Sequence, residues 1–122
     1  PNDCATFHCC GCWTVLGDSL RLCAQKQRPG ILVCFKVTKD VVWKDSLLVG
    51  LEGILLGCTY LALSCRSCDM VVGFSLYSSA RDLAQLRGLF CFFTDRIVCY
   101  LLKKKTIIKA SKVNFPATDL HE

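Results

Sequence analysis

The 122-residue sequence predicts a mainly β domain with one short helix. Three observations predict it. Short apolar runs recur along the chain, broken by glycine or polar residues, which is the cadence of short strands. One stretch alone, "SSARDLAQLRG", has helical spacing. Two C-x-x-C pairs, Cys9 with Cys12 and Cys65 with Cys68, stand far apart in sequence, each beside strand-like runs.

Taken in order, "FHCCGCWTVLGDSL" places three cysteines within four residues, and Gly11 supports a tight turn because it tolerates positive φ. "ILVCFKV" follows the turn signal "RPG"; "TKD" at Thr38 to Asp40 then breaks the run and "VVW" resumes it, which predicts a hairpin. Leu47 to Cys65 is apolar enough to suggest a membrane span, but Glu52 and the glycines Gly50, Gly53 and Gly57 favour short strands separated by turns. "TYLALSC" and "MVVGFSLYS" flank the second cysteine pair and are rich in strand formers. In "SSARDLAQLRG", Ser78 or Ser79 caps a helix, Leu83 and Leu86 share a face, and Gly88 ends it. "LFCFF" and "RIVCYLL" are two further strands around "TDR". The lysine-rich tail from Lys103 onward reads as an exposed trailing segment.

Apolar residues make up 52% of the chain and charged residues 20%, which excludes disorder and gives one domain enough material for a core. The chain opens on Pro1 and reads as a fragment or processed product, with no signal peptide visible. Eleven cysteines would suit a disulfide scaffold with one spare thiol. Cys34, Cys58, Cys91 and Cys99 lie inside apolar runs, however, where a free cysteine behaves as a small hydrophobe. A reduced, intracellular protein is the expectation. The spacing assigns no role to Cys4 or Cys23.

Two C-x-x-C pairs supply four thiolates, the donor set of a closed tetrahedral Zn²⁺ site. Cys9, Cys12, Cys65 and Cys68 are the candidate ligands, and Cys10 lies between the first two facing elsewhere. The separation of the pairs makes the metal a staple between distant hairpins. A redox C-x-x-C would need a helix N-terminus to lower the thiol pKa, and neither pair has one. His8 is read as an exposed strand residue, and His121 lies in the tail. No nucleophile elbow, phosphate loop or paired-carboxylate motif is present. The formal charge of +5 drops to about +3 once four thiolates and Zn²⁺ are counted, too little to argue for nucleic-acid binding.

Both cysteine pairs, with Gly73 following the second, resemble the Yippee-type zinc domain. "CATFHCCGCWTVLGDSL", "FKVTKDVV", "VGLEG", "GCTYLALSCRSCDMVVGFSLYS" and "LRGLFCFFTDRIVCYLLKKKTIIKAS" resemble the Mis18 centromere-complex family, and within it the β subunit. The resemblance implies a β-tent fold, two antiparallel sheets tied by one structural Zn²⁺. It implies a Yippee/Mis18-type domain over residues 1–112 and a trailing segment, 113–122, leading toward an absent C-terminal coiled coil. It further implies a noncatalytic assembly module in the nucleus, at the centromere. Its implied partners are the Mis18 α subunit and the Mis18-binding protein, with homo-oligomers also expected and no membrane, small-molecule substrate or direct DNA contact. The implied role is licensing of centromeres for deposition of the centromeric histone variant after mitosis.

Two other readings share the fold. A ligand- or degron-binding β-tent would use an aromatic cage, for which Trp13 and Trp43 are candidates. A zinc-containing sulfoxide reductase would need a reactive cysteine in a polar pocket, whereas Cys91 and Cys99 sit in apolar strands. For an assembly module, Phe90, Phe92 and Tyr100 are the candidate partner-binding anchors, since aromatic residues dominate interface energetics. Alternation puts Phe90 and Phe92 on one strand face and Cys91 and Phe93 on the other, so that one face alone is expected to be core.

Overall fold

In the computed structural model, residues 3–79 and 83–116 are described. Among these described residues, eleven strands form two antiparallel sheets. The first contains β1 (Ala5–Cys9), β2 (Val15–Asp18), β10 (Ile97–Leu101) and β11 (Thr106–Lys109), in the order β11-β10-β1-β2. The second runs β3 (Leu22–Lys26), β4 (Ile31–Cys34), β9 (Phe90–Phe93), β8 (Val71–Ser78), β7 (Thr59–Cys65), β5 (Val41–Trp43), and the short β6 (Leu48–Val49) also pairs with β7.

The core between the sheets follows the period-two alternation of the strands. Ala5, Phe7 and Cys9 of β1 point inward with Ile97, Cys99 and Leu101 of β10; they meet Leu32, Leu63, Val72 and Phe92 of the larger sheet. A second cluster covers the opposite face of that sheet, where Ile31, Val33, Phe74 and Cys91 pack under Leu83 and Leu86. β4 and β9 are therefore buried on both faces, which is why they read as unbroken apolar runs. Gly73 has a steric reason: it pairs with Phe92, and a Cβ there would lie 1.9 Å from the Cys91 carbonyl oxygen. β8 and β9 can approach this closely only with glycine at that position.

Four expectations need correction. No hairpin joins "ILVC" to "VVW": β4 pairs with β3 and β9 and so has both edges filled, while β5 pairs with β7 three strands away. The expected helix is a three-residue 3-10 turn at Ala84–Leu86, where no side chain caps the first turn. β8 extends through Ser78, and residues 80–82 lie outside the described residues. Gly88 does adopt positive φ, +79°. The two-faced burial of β9 also overturns the expectation of a single core face.

The tail is the fourth. It is no exposed trailing segment at its start: β11 pairs with β10, and Ala110, Val113 and Phe115 are buried in the inter-sheet core. Phe115 packs edge-on against Phe7, with ring centroids 5.6 Å apart, and its N–H donates to Gln25 Oε1 at 2.8 Å. The packed unit thus runs past Lys112. Lys103, Lys104 and Lys105 form the exposed β10–β11 turn, and Asp3 accepts the N–H groups of Lys103 and Lys104 at 2.7 and 2.9 Å. Among the described residues no helix is long and apolar enough to cross a membrane, and the stretch from Leu47 to Cys65 becomes β6, a 3-10 turn and β7.

Candidate metal centre

Each cysteine pair sits in the turn of a β-hairpin, β1–β2 and β7–β8, and the two hairpins belong to different sheets. The turns share one hydrogen-bond pattern. In the first, Cys9 N–H donates to Thr14 O at 2.9 Å and Cys9 O accepts from Trp13 N–H at 2.8 Å. In the second, Cys65 N–H donates to Met70 O at 2.9 Å and Cys65 O accepts from Asp69 N–H at 2.8 Å. The matching residues Trp13 and Asp69 both have positive φ, 70° and 65°. The left-handed residue of each knuckle is therefore the one after its second cysteine, and Gly11 does not hold that conformation. Glycine at position 11 answers to space instead, since a Cβ there would lie 3.0 Å from the Met70 methyl and 3.6 Å from Cys68 Sγ.

These turns bring the four candidate thiols together. The Sγ atoms of Cys9, Cys12, Cys65 and Cys68 all lie within 4.8 Å of one another. Cys9 to Cys68 and Cys12 to Cys65 are the close cross-hairpin pairs, each at 3.5 Å. A tetrahedral Zn²⁺ with Zn–S of about 2.3 Å needs sulfurs about 3.8 Å apart, so the cluster fits one zinc. Gly11 N–H points at Cys9 Sγ, 3.4 Å away, and Thr14 Oγ1 lies 3.1 Å from Cys12 Sγ. The Thr14 hydroxyl and N–H hold the Cys12 thiol down at about 6, whereas burial pushes Cys9 up to about 12. Four sulfur donors would close the coordination shell of a zinc held here, which is the chemistry of a structural staple between two sheets.

Cys10 is exposed and outside the cluster; its Sγ contacts Met70 Sδ at 3.7 Å. All eleven cysteines carry free thiols. Burial raises Cys34, and it raises Cys91 and Cys99 to about 12, so these three are protonated core residues. His8 lies on β1, held between Thr6 Oγ1 and Trp13 O at 2.7 and 2.9 Å. His121 lies outside the described residues.

The candidate partner-binding residues divide. Phe92 has no exposed surface and belongs to the inter-sheet core, so it is not available as a surface anchor. Phe90 is half-buried and stacks on the exposed Trp43, with centroids 5.9 Å apart and planes 6° from parallel. Tyr100 is half-buried on β10 between Thr6 and Ile107. A cleft of about 430 Å³ is lined by Pro29, Glu52, Ile54, Leu55, Phe93 and Asp95, and neither Trp13 nor Trp43 borders it.

Sequence reading missed Thr14, Met70 and the left-handed residues. Asp69 carried a usable signal, because aspartate tolerates that conformation; tryptophan carries none. It also missed Arg66, whose N–H donates to Asp40 O at 2.7 Å while its side chain donates to Lys39 O, tying the second knuckle to the start of β5.

The fold is similar to that of the crystal structure of a Mis18 "Yippee-like" domain, with a TM-score of 0.72 and 23% identity over 80% of this chain and 95% of that one. It is also similar to the C-terminal domain of the Caenorhabditis elegans Dicer-related helicase 3, solved with a 5'-triphosphate RNA, with a TM-score of 0.63 and 13% identity over 88% of this chain and 61% of that one. In sequence it is 26% identical over 104 residues to the kinetochore protein mis18 of Schizosaccharomyces pombe. That match covers 84% of this chain and 52% of the yeast protein, so the chain spans about half the length of this relative. The family described as "Yippee zinc-binding/DNA-binding/Mis18, centromere assembly" matches residues 5–112. With nearly the whole packed domain inside that match, and a four-cysteine cluster fit for one zinc, the chain belongs to the Yippee-Mis18 family.

Proposed function

We propose that this domain is a noncatalytic assembly module of a Mis18-type centromere complex, stapled by one Zn²⁺ on Cys9, Cys12, Cys65 and Cys68. On this reading it acts in the nucleus at the centromere. It associates with the Mis18 α subunit and the Mis18-binding protein, and the assembly licenses deposition of the centromeric histone variant after mitosis. The observation that carries the association is an apolar margin on the larger sheet: Trp43, Leu47, Leu48, Val49 and Leu51 are all exposed along β5, β6 and the turn that follows. Clustered apolar side chains of this kind mark partner sites on soluble domains. Phe90, stacked under Trp43, extends the same patch, and Tyr100 is a second anchor on the other sheet.

Native mass spectrometry of the chain, alone and mixed with the α-subunit domain, tests this. A zinc-loaded complex is expected. A strict monomer under both conditions at high concentration would sink the association and favour a β-tent ligand module. The cleft between Pro29, Ile54 and Phe93 supports that second reading.

A further inference from the structure

The cleft of about 430 Å³ beside the Thr94–Arg96 turn has no part in assembly or in metal binding. Its walls are fixed by the core. Ile54, Leu55 and Phe93 pack against the second buried cluster, and the Phe93 ring lies 5.6 Å from that of Phe74. Thr94 N–H donates to Gly30 O at 3.0 Å, which ties the end of β9 to the turn ahead of β4.

Thr94 is the unusual member of this lining. It is only 7% exposed, yet its hydroxyl makes no hydrogen bond among the described residues. A buried hydroxyl without a partner is destabilising, so the position calls for a reason. Gly30 points to one. A Cβ there would lie 2.7 Å from Thr94 Oγ1, so glycine leaves that oxygen uncovered. Thr94 also borders a smaller cavity beside Lys109 and Ser111, but Gly30 does not, which puts the free oxygen on the side of the larger cleft. Two carboxylates stand at the same cleft. Glu52 and Asp95 enter no ion pair among the described residues. The cation in the lining, Arg96, is held elsewhere: its Nη1 donates to Val71 O at 2.6 Å.

We propose that this cleft binds a small organic cation, a primary amine carried on an apolar body. The body rests on Ile54, Leu55 and Phe93, the ammonium faces Glu52 and Asp95, and the Thr94 hydroxyl oxygen accepts one of its protons. An ammonium has three donors and no acceptor, which matches two unpaired carboxylates and an open hydroxyl oxygen. The cleft volume falls within the range of about 300–1,000 Å³ of small-molecule sites. The inference rests on the ligand reading of this cleft and supplies its ligand class; it holds whether or not the domain also assembles.

The experiment follows the amide NMR shifts of the zinc-loaded chain during titration with phenethylamine, and in parallel with phenethyl alcohol and 3-phenylpropanoate. The amine is expected to shift the amides of Gly30, Gly53 and Thr94 saturably. The alcohol is expected to bind about threefold more weakly or worse, and the carboxylate not at all. Glu52→Gln combined with Asp95→Asn should weaken the amine about fivefold and leave the alcohol unchanged. Thr94→Val should weaken the amine about three- to tenfold, with rescue by Thr94→Ser. Should Thr94→Val misfold, the exposed carboxylate pair carries the test. Saturable shifts from none of the three probes, or only away from the cleft, would overturn the ligand reading and the proposal together. Alcohol or carboxylate bound in the cleft as tightly as the amine, or amine affinity unchanged in the carboxylate variant, would overturn the cation assignment and leave the ligand reading standing.

Discussion

Replacing Cys65 by serine is expected to unfold the domain. Cys65 ends β7 without solvent exposure and faces Cys12 across the hairpins at 3.5 Å. Serine keeps the shape but offers a hydroxyl where the metal needs a thiolate. Structural zinc in finger peptides contributes an apparent 10–16 kcal/mol, roughly the whole stability of a typical domain at about 5–15 kcal/mol. An unfolding entropy of about 2.1 cal/mol/K per residue, over 122 residues, gives roughly 0.26 kcal/mol/K, so each kcal/mol moves Tm by about 4 °C. Losing about 10 kcal/mol would lower Tm by about 40 °C, below room temperature for a domain of ordinary Tm. Elemental analysis and far-UV circular dichroism melts make the measurement. Wild type should hold one zinc and melt cooperatively. The variant, and wild type treated with a strong chelator, should hold none and show no transition. The reasoning fails if a metal-free Cys65→Ser protein melts cooperatively within about 5 °C of wild type.

Other outcomes follow from the same geometry. Thr14→Val removes the hydroxyl 3.1 Å from Cys12 Sγ and should weaken zinc binding by about 10–100-fold in a competitive chelator titration, with rescue by Thr14→Ser. Phe92→Ala empties a fully buried position between the sheets and should cost about 3–5 kcal/mol in a denaturant melt; a cost below about 1 kcal/mol would mean the core is misassigned. Val49→Glu places a charge on the exposed margin and should abolish association in sedimentation while zinc content and circular dichroism stay normal. Stability should also fall at alkaline pH. The folded thiols of Cys34, Cys91 and Cys99 lie above the unfolded thiol value of about 9, so their contribution is complete below that value and is lost as pH rises toward about 12. Each such thiol contributes a slope of about 1.4 kcal/mol per pH unit in that window, and a melt that does not weaken between pH 9 and 11 would contradict it.

The parts of this molecule legible in sequence are those fixed by local chemistry. Strand formers flanking Cys65 to Cys68 do make β7 and β8, and the C-x-x-C spacing alone picked out the four clustered thiols. What could not be read is long-range pairing. "TKD" looks like a hairpin turn, but whether β4 keeps a free edge for β5 depends on β9, more than fifty residues later in the chain. The same ignorance spoiled Phe92. Alternation told which residues share a face of β9, but not that Leu83 and Leu86 would cover the other face and make both faces core. The tail misled through composition, because its lysines mark the solvent side of a hairpin whose next residues, Ala110, Val113 and Phe115, close the space above Phe7.

The knuckles show how a local rule can be right for the wrong residue. A sharp turn that aims two sulfurs at one ion needs a left-handed residue, and glycine is the usual supplier. Gly11 therefore looked like the hinge. Instead, positive φ falls on Trp13 and Asp69, each four residues after the first cysteine of its pair. Both donate their N–H to that cysteine's carbonyl, so the conformation is imposed by the hydrogen bonds that close the turn. Left-handed backbone at a tryptophan is costly, and it persists only where the surroundings determine it. The Trp13 carbonyl accepts from His8, whose other ring nitrogen meets Thr6, and the two rings lie 6.0 Å apart. β1 thus braces the strained residue of the knuckle it leads into. Gly11, freed from supplying the turn, leaves room for the Met70 methyl and the Cys68 sulfur of the opposite hairpin. The first knuckle is shaped by what it must fit against, and that partner is absent from its own stretch of sequence.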